Sequence, residues 1–271
     1  VIGKLLGPGA VVPYACTGKL ITMLANQPQM FMQLALPALS ELRASASRVR
    51  LFELSQSMTQ MMLLASGAIL VVVLATNEGF VAWWVGDGQF AGVGLTVLML
   101  TGMVLRHFNT TIIYTLFCFG NERRLALTTI AEGIGSTALM FLLVPMLGLY
   151  GAALGPLAAT CLIGLPNNLY ALAREQQTST MSLLVPLRPW LARIAILLSC
   201  LAVFLWFKRV HGLTSLILVS MGIAAAYVAI MVPVLRKPPL GSMLSASCQP
   251  WADRVQSLIK RKAGQPIPLG N

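Results

Sequence analysis

Charge is scarce in this sequence. Only 10% of its 271 residues are charged, against roughly 25% in a soluble domain. So few charges cannot wet a globular surface, which excludes a soluble enzyme. A hydrophobic content of 57% likewise excludes a disordered regulator. Acids are the scarcest group, with 8 Asp+Glu against 19 Lys+Arg. The cysteines, Cys16, Cys118, Cys161, Cys200 and Cys248, are scattered and form no C-x-x-C or Cys/His ligand spacing. That excludes a disulfide framework and a zinc site, and leaves most of them as buried small apolar groups. There is no G-x-S-x-G, no P-loop, no H-E-x-x-H and no pair of intramembrane aspartates. No enzyme activity, no metal and no cofactor is expected.

Long apolar runs are what the chain has instead. Its mean hydropathy is +0.79. A spanning helix needs about 20 mostly apolar residues, and about seven such stretches occur: 11–39, 56–76, 91–119, 125–147, 150–173, 191–207 and 213–235. The expected fold class is therefore all-α, a polytopic membrane helix bundle. Asn77-Glu78-Gly79 and Gly86-Asp87-Gly88 flank the pair Trp83 and Trp84, which suits an interfacial belt. Gly120-Asn121-Glu122 separates the third and fourth spans, and Gly148-Leu149-Tyr150-Gly151 makes a tight turn between the fourth and fifth. Pro186 and Pro189 punctuate the longest loop. Residues 1–6 are expected to be the outer end of a truncated transmembrane helix, 11–235 the bundle, and 236–271 a basic tail with a weakly amphipathic stretch around Trp251, Val255, Leu258 and Ile259.

The net charge of +11 is distributed unevenly. One set of alternate connections holds Arg43, Arg48, Arg50, Arg123, Arg124, Arg174, Arg188, Arg193 and the tail cations; the other holds Lys4, Lys208 and Arg209. The positive-inside rule makes the first set and the tail cytoplasmic. That accounts for the charge without nucleic acid.

Two cations fall inside spans. An ionisable group at membrane depth costs roughly 2.5–3.5 kcal/mol, so Lys19 and Arg106 need a partner or a wet cavity. Ala15, Lys19, Thr22, Asn26, Gln29 and Gln33 recur every four or three residues, which puts them on one helix face. A polar stripe of this length is expected to line a cavity; the plainer alternative is interhelical hydrogen bonding. Pro28 in the middle of that span predicts a kink. Arg106 shares a face with Gly102, Asn109 and Thr110, and His107 with Thr111 and Tyr114. Glu132 is the only acid well inside a span. It is either an ion-pair partner of Arg106, from which it is offset by about 5 Å in depth, or a coupling group. His107 is either a protonation switch or a hydrogen-bonded structural residue. Asn167 and Asn168 follow Pro166 near a helix end, and Gly151 and Gly155 form a small-x-x-x-small pair for close packing.

The opening residues Val1-Ile2-Gly3-Lys4-Leu5-Leu6-Gly7-Pro8-Gly9-Ala10-Val11, then Tyr14, resemble the start of the second half of bacterial polysaccharide flippases. These are the O-antigen-type transporters of the multidrug/oligosaccharidyl-lipid/polysaccharide exporter superfamily. In that family "IG-x-x-LG" leads through "GP-x-AV-x-x-Y" into a long polar-faced helix ending in "P-A-L-S", here Pro37-Ala38-Leu39-Ser40. Gly148-Leu149-Tyr150-Gly151-Ala152-Ala153 is similar to the family's "G-x-x-GAA" turn. The resemblance extends through about Arg174, and the last two spans match by count alone. It implies the second half of a two-lobed alternating-access transporter of twelve or fourteen helices, with the N-terminal half of the protein outside this chain. It implies a lipid-linked oligosaccharide as substrate and an inner-membrane location. Residues Lys19, Thr22, Asn26, Gln29, Gln33, Arg106, His107 and Asn109 are then the expected substrate-binding set. A cation-coupled multidrug exporter of the same superfamily and a non-transport membrane scaffold are the alternatives.

Overall fold

The structure is a computed structural model that describes residues 1–45, 48–207, 212–236 and 241. The basic tail beyond Arg236, with its expected amphipathic stretch, and the cations Lys208 and Arg209 lie outside the described residues, save Gly241. Among the described residues the fold is all-helical, without strands. A short α1 (Ile2–Leu5) precedes Gly7, whose positive φ of 86° turns the chain. Then come α2 (Val11–Ser45), α3 (Arg48–Val85), α4 (Val93–Cys118), α5 (Glu122–Leu147) and α6 (Leu149–Ala159). A π-helical turn, Thr160–Gly164, joins α6 to α7 (Leu165–Glu175), and α8 (Thr180–Leu184), α9 (Arg188–Phe207) and α10 (Leu213–Leu235) follow.

Among the described residues, five helical stretches are long and apolar enough to cross a membrane: Arg50–Val85, Glu122–Leu147, Leu149–Glu175, Thr180–Leu205 and Leu213–Leu235. α2 and α4, which complete the expected seven, are not among them. They are the helices that carry Lys19 and Arg106.

Two expected breaks are helical. The stretch Asn77-Glu78-Gly79 does not end the second span, because α3 runs through it and Trp83-Trp84 to Val85. Asn77 is buried, and its amide donates to the Thr17 carbonyl (2.9 Å) and to Thr96 Oγ1 (3.1 Å). Its side chain is thus spent on α2 and α4, and does not compete for its own backbone as a turn asparagine does. Pro186 and Pro189 likewise sit in helix, in the 3₁₀ turn Val185–Leu187 and the first turn of α9. Proline is tolerated there because first-turn N–H groups have no intrahelical acceptor. The breaks at Gly120 and Gly148 occur as read, both with positive φ.

α3 is the central helix, packed on α2, α4, α9 and α10. The main core joins Leu63 and Val71 of α3 to Ile112 and Leu116 of α4, Leu172 of α7, Trp190 of α9 and Met231 of α10. Lipid offers an apolar side chain no less than a neighbouring helix does, so close fit and polar contacts must hold such helices together. Both are present. A ladder of side-chain bonds runs down the antiparallel α3–α4 seam, pairing Ser55 with Thr115 (3.3 Å), Thr59 with Thr111 (3.2 Å), Ser66 with His107 (2.6 Å) and Asn77 with Thr96 (3.1 Å). Close fit is sharpest where α5 crosses α6: a Cβ on Gly155 would meet Met140 N at 2.9 Å, and one on Gly151 would strike the Leu143 carbonyl. The small-x-x-x-small pair therefore does the packing work expected of it.

Candidate functional site: a cationic cleft between α2, α4 and α6

Asn77 bonds Thr17 and Thr96 near the starts of α2 and α4 while Gln33 meets Tyr114 further along both, and Tyr150 at the start of α6 lies beside Gly94, so α2, α4 and α6 start at the same end of the bundle. A cleft of about 500 Å³ opens between them. α2 contributes Tyr14, Ala15, Gly18, Lys19, Ile21 and Thr22; α4 contributes Leu98, Met99, Gly102, Met103 and Arg106; Ala153, Pro156, Leu157 and Thr160 close the third side. From Leu98 to Arg106 the lining covers about 12 Å of helix, reaching the middle of α4.

Lys19 and Arg106, the two cations expected at membrane depth, therefore line one cavity, though they lie far apart in sequence. Neither Lys19 nor Arg106 makes a salt bridge among the described residues. Among the described residues no acid lines the cleft. Most of the remaining wall is apolar: Ile21, Leu98, Met99, Met103 and Leu157. Such a site favours a ligand with an anionic part and a sizeable apolar or neutral part.

The rest of the predicted set is dispersed. Of the stripe on α2, Ala15, Lys19 and Thr22 line the cleft, but Asn26, Gln29 and Gln33 lie beyond it. Asn26 is exposed, Gln29 is half-buried, and Gln33 Nε2 donates to the Tyr114 hydroxyl (3.3 Å). That last contact is the interhelical bonding kept open as the plainer reading. His107 points away from the cleft, fully buried. Its Nε2 lies 3.1 Å from the Ala25 carbonyl and its Nδ1 2.6 Å from Ser66 Oγ. A carbonyl can only accept, so Nε2 carries a proton, and His107 ties α2 and α3 to α4.

Glu132 does not pair with Arg106 among the described residues. It faces α6 and the π turn. Its Oε1 accepts from Thr160 Oγ1 (2.6 Å), and its carboxylate presses on Gly164. Asn109 is turned the same way: its Oδ1 accepts from Asn168 Nδ2 (2.9 Å), and its Nδ2 lies 3.1 Å from where a Gly164 Cβ would be. The π turn has a local cause. Pro166 has no N–H for the Leu162 carbonyl and crowds it. The helix widens one turn earlier, where the Leu165 N–H reaches back five residues to Thr160 O. Gly164 leaves the room that the Glu132 carboxylate occupies.

Thr160 is the candidate site residue that sequence reading misses. It lines the cleft on one side and holds Glu132 on the other. The available signal was Gly164 followed by Pro166 inside a span. Gly164→Ala is expected to cost about 1–2 kcal/mol by overpacking, measured as a lower thermal midpoint in detergent. Most of that cost should vanish in a Glu132→Ala background; an equal cost in both backgrounds would refute the contact. No family model, no curated protein and no solved structure matches the chain.

Proposed function

We propose that this chain forms part of a flippase that moves a polyprenyl-linked oligosaccharide from the cytoplasmic to the outer leaflet of the inner membrane by alternating access. The observation that carries the reading is the cleft itself: Lys19 and Arg106 share about 500 Å³ with an apolar wall and, among the described residues, no lining acid. A pyrophosphate or acidic sugar satisfies both cations, and apolar wall accommodates the lipid-proximal part. The resemblance to polysaccharide exporters supplies the substrate class. In this reading α2 and α4 also span the bilayer, making seven spans, and their polar faces border the transport path instead of lipid. The arginine-rich connections and the tail lie in the cytoplasm.

A second reading, a cation-coupled drug exporter, is favoured by one contact. Glu132, an acid at membrane depth, reaches the cleft wall through Thr160.

A charge-assisted hydrogen bond is worth about 1.5–3 kcal/mol, or roughly 10–100-fold in affinity per cation. Cells whose own copy carries both Lys19→Gln and Arg106→Gln should lose at least about tenfold in surface polysaccharide at unchanged protein level, while Lys19→Arg should retain most of it. Unchanged surface polysaccharide in the double variant would sink the reading. Drug sensitivity with intact polysaccharide would establish the second reading in its place.

A further inference from the structure

At the opposite end of the bundle, where α4 turns into α5, lies a second cavity of about 520 Å³. It is lined by Gly120, Asn121, Arg123, Arg124, Leu127, Thr128 and Asn167, two arginines with no acid among the lining residues. Glu175, at its edge, already accepts from Asn121 Nδ2 (3.0 Å), and Glu122, in the first turn of α5 between Asn121 and Arg123, is exposed and is not among the lining residues. Arg124 is held in place: it donates to the Asn167 carbonyl (2.9 Å) and lies 6.0 Å over the Tyr170 ring. Arg123 is exposed and makes no salt bridge among the described residues. Asn121 precedes α5 without capping it, because its side chain is turned to Glu175. The first N–H groups of α5, which have no intrahelical acceptor, therefore add to the arginines. An exposed apolar track leads away from this cationic end along α5, through Leu127 (61% exposed), Ile130 (59%) and Ile134 (66%).

From this juxtaposition we infer a binding site for an anionic phospholipid, with the headgroup phosphate on Arg123 and Arg124 and one acyl chain along Leu127, Ile130 and Ile134. The shared chemistry is a phosphate. The apolar track, continuous with the cavity through Leu127, distinguishes a lipid from a free ion. The inference requires only that the chain is embedded in a membrane, and is independent of the transport reading. In a bilayer, each basic residue near the surface of an anionic leaflet contributes about 1 kcal/mol.

The test titrates the 271-residue chain in uncharged detergent with phosphatidylglycerol, phosphatidylcholine or inorganic phosphate, and follows the thermal midpoint. Phosphatidylglycerol should raise the midpoint and the other two should not. Arg123→Gln, which removes no hydrogen bond or salt bridge among the described residues, should weaken the apparent affinity about fivefold, and Arg123→Gln with Arg124→Gln at least about tenfold. Arg188→Gln, on α9, should leave it unchanged. Ile130→Asn should weaken the lipid response with both arginines present. An equal response to inorganic phosphate would overturn the lipid assignment, and an unaltered response in the double arginine variant would overturn the site. Because surface polysaccharide is not read here, failure of this inference is separable from failure of the proposed function.

Discussion

Gly151→Ala is expected to destabilise the chain by about 2–3 kcal/mol, the upper part of the overpacking range. The added methyl would strike the Leu143 carbonyl and lie 2.6 Å from Val144 N. These are backbone atoms, so no rotamer change relieves the contact, and α5 and α6 must separate. That crossing is among the closest in the fold, so loosening it exposes Met140 and Leu143 along its length. Gly133→Ala on α5 provides the contrast. Nothing lies within 4 Å of its Cβ position, and alanine is favoured over glycine in a helix interior by up to about 1 kcal/mol. The same substitution should therefore have opposite signs at the two sites, read as thermal midpoints in one detergent. Equal midpoints for the two variants would refute the crossing geometry.

His107→Leu is the second large effect, expected at about 1–3 kcal/mol. Leucine keeps the side chain buried but removes both of its interhelical bonds, to Ser66 and to the Ala25 carbonyl. Such bonds average about 0.6 kcal/mol in membrane bundles and reach about 1.7. The Ala25 contact sits next to the gap that Pro28 opens in α2, where proline supplies no N–H to Leu24. A Ser66→Ala, His107→Leu cycle should give a coupling of about 0.6–1.7 kcal/mol, measured by unfolding in mixed micelles. Strict additivity would mean that the 2.6 Å contact does not contribute. The structural reading of His107, left open beside the protonation switch, is the one its surroundings favour. Ser66 was invisible beforehand, because a serine in an apolar run carries no sign of which helix it faces.

Much of the architecture is legible in one dimension. The scarcity of charge, the apolar runs and the glycine turns at 120 and 148 place the helices, because helix length and a lipid-facing surface are local properties of composition. The close approach at Gly151 and Gly155 is also local, since glycine has only one structural advantage in such a place. The periodic stripe on α2 was read correctly as a face, but only its first half borders the cleft. Asn26, Gln29 and Gln33 lie beyond it, because periodicity assigns a direction around a helix and not the neighbour found there.

By itself, then, the sequence determined an all-helical chain rich in membrane-length helices, with two cations in apolar stretches that need an explanation. Only the tertiary structure decided that Lys19 and Arg106 line one cleft, that Glu132 binds Thr160 and leaves Arg106 free of it, and that Asn77 continues a helix. The reason is physical. Secondary structure follows from interactions a few residues apart. Which polar group meets which across a bundle depends on the rotation and depth of whole helices, and these are set jointly by every contact those helices make.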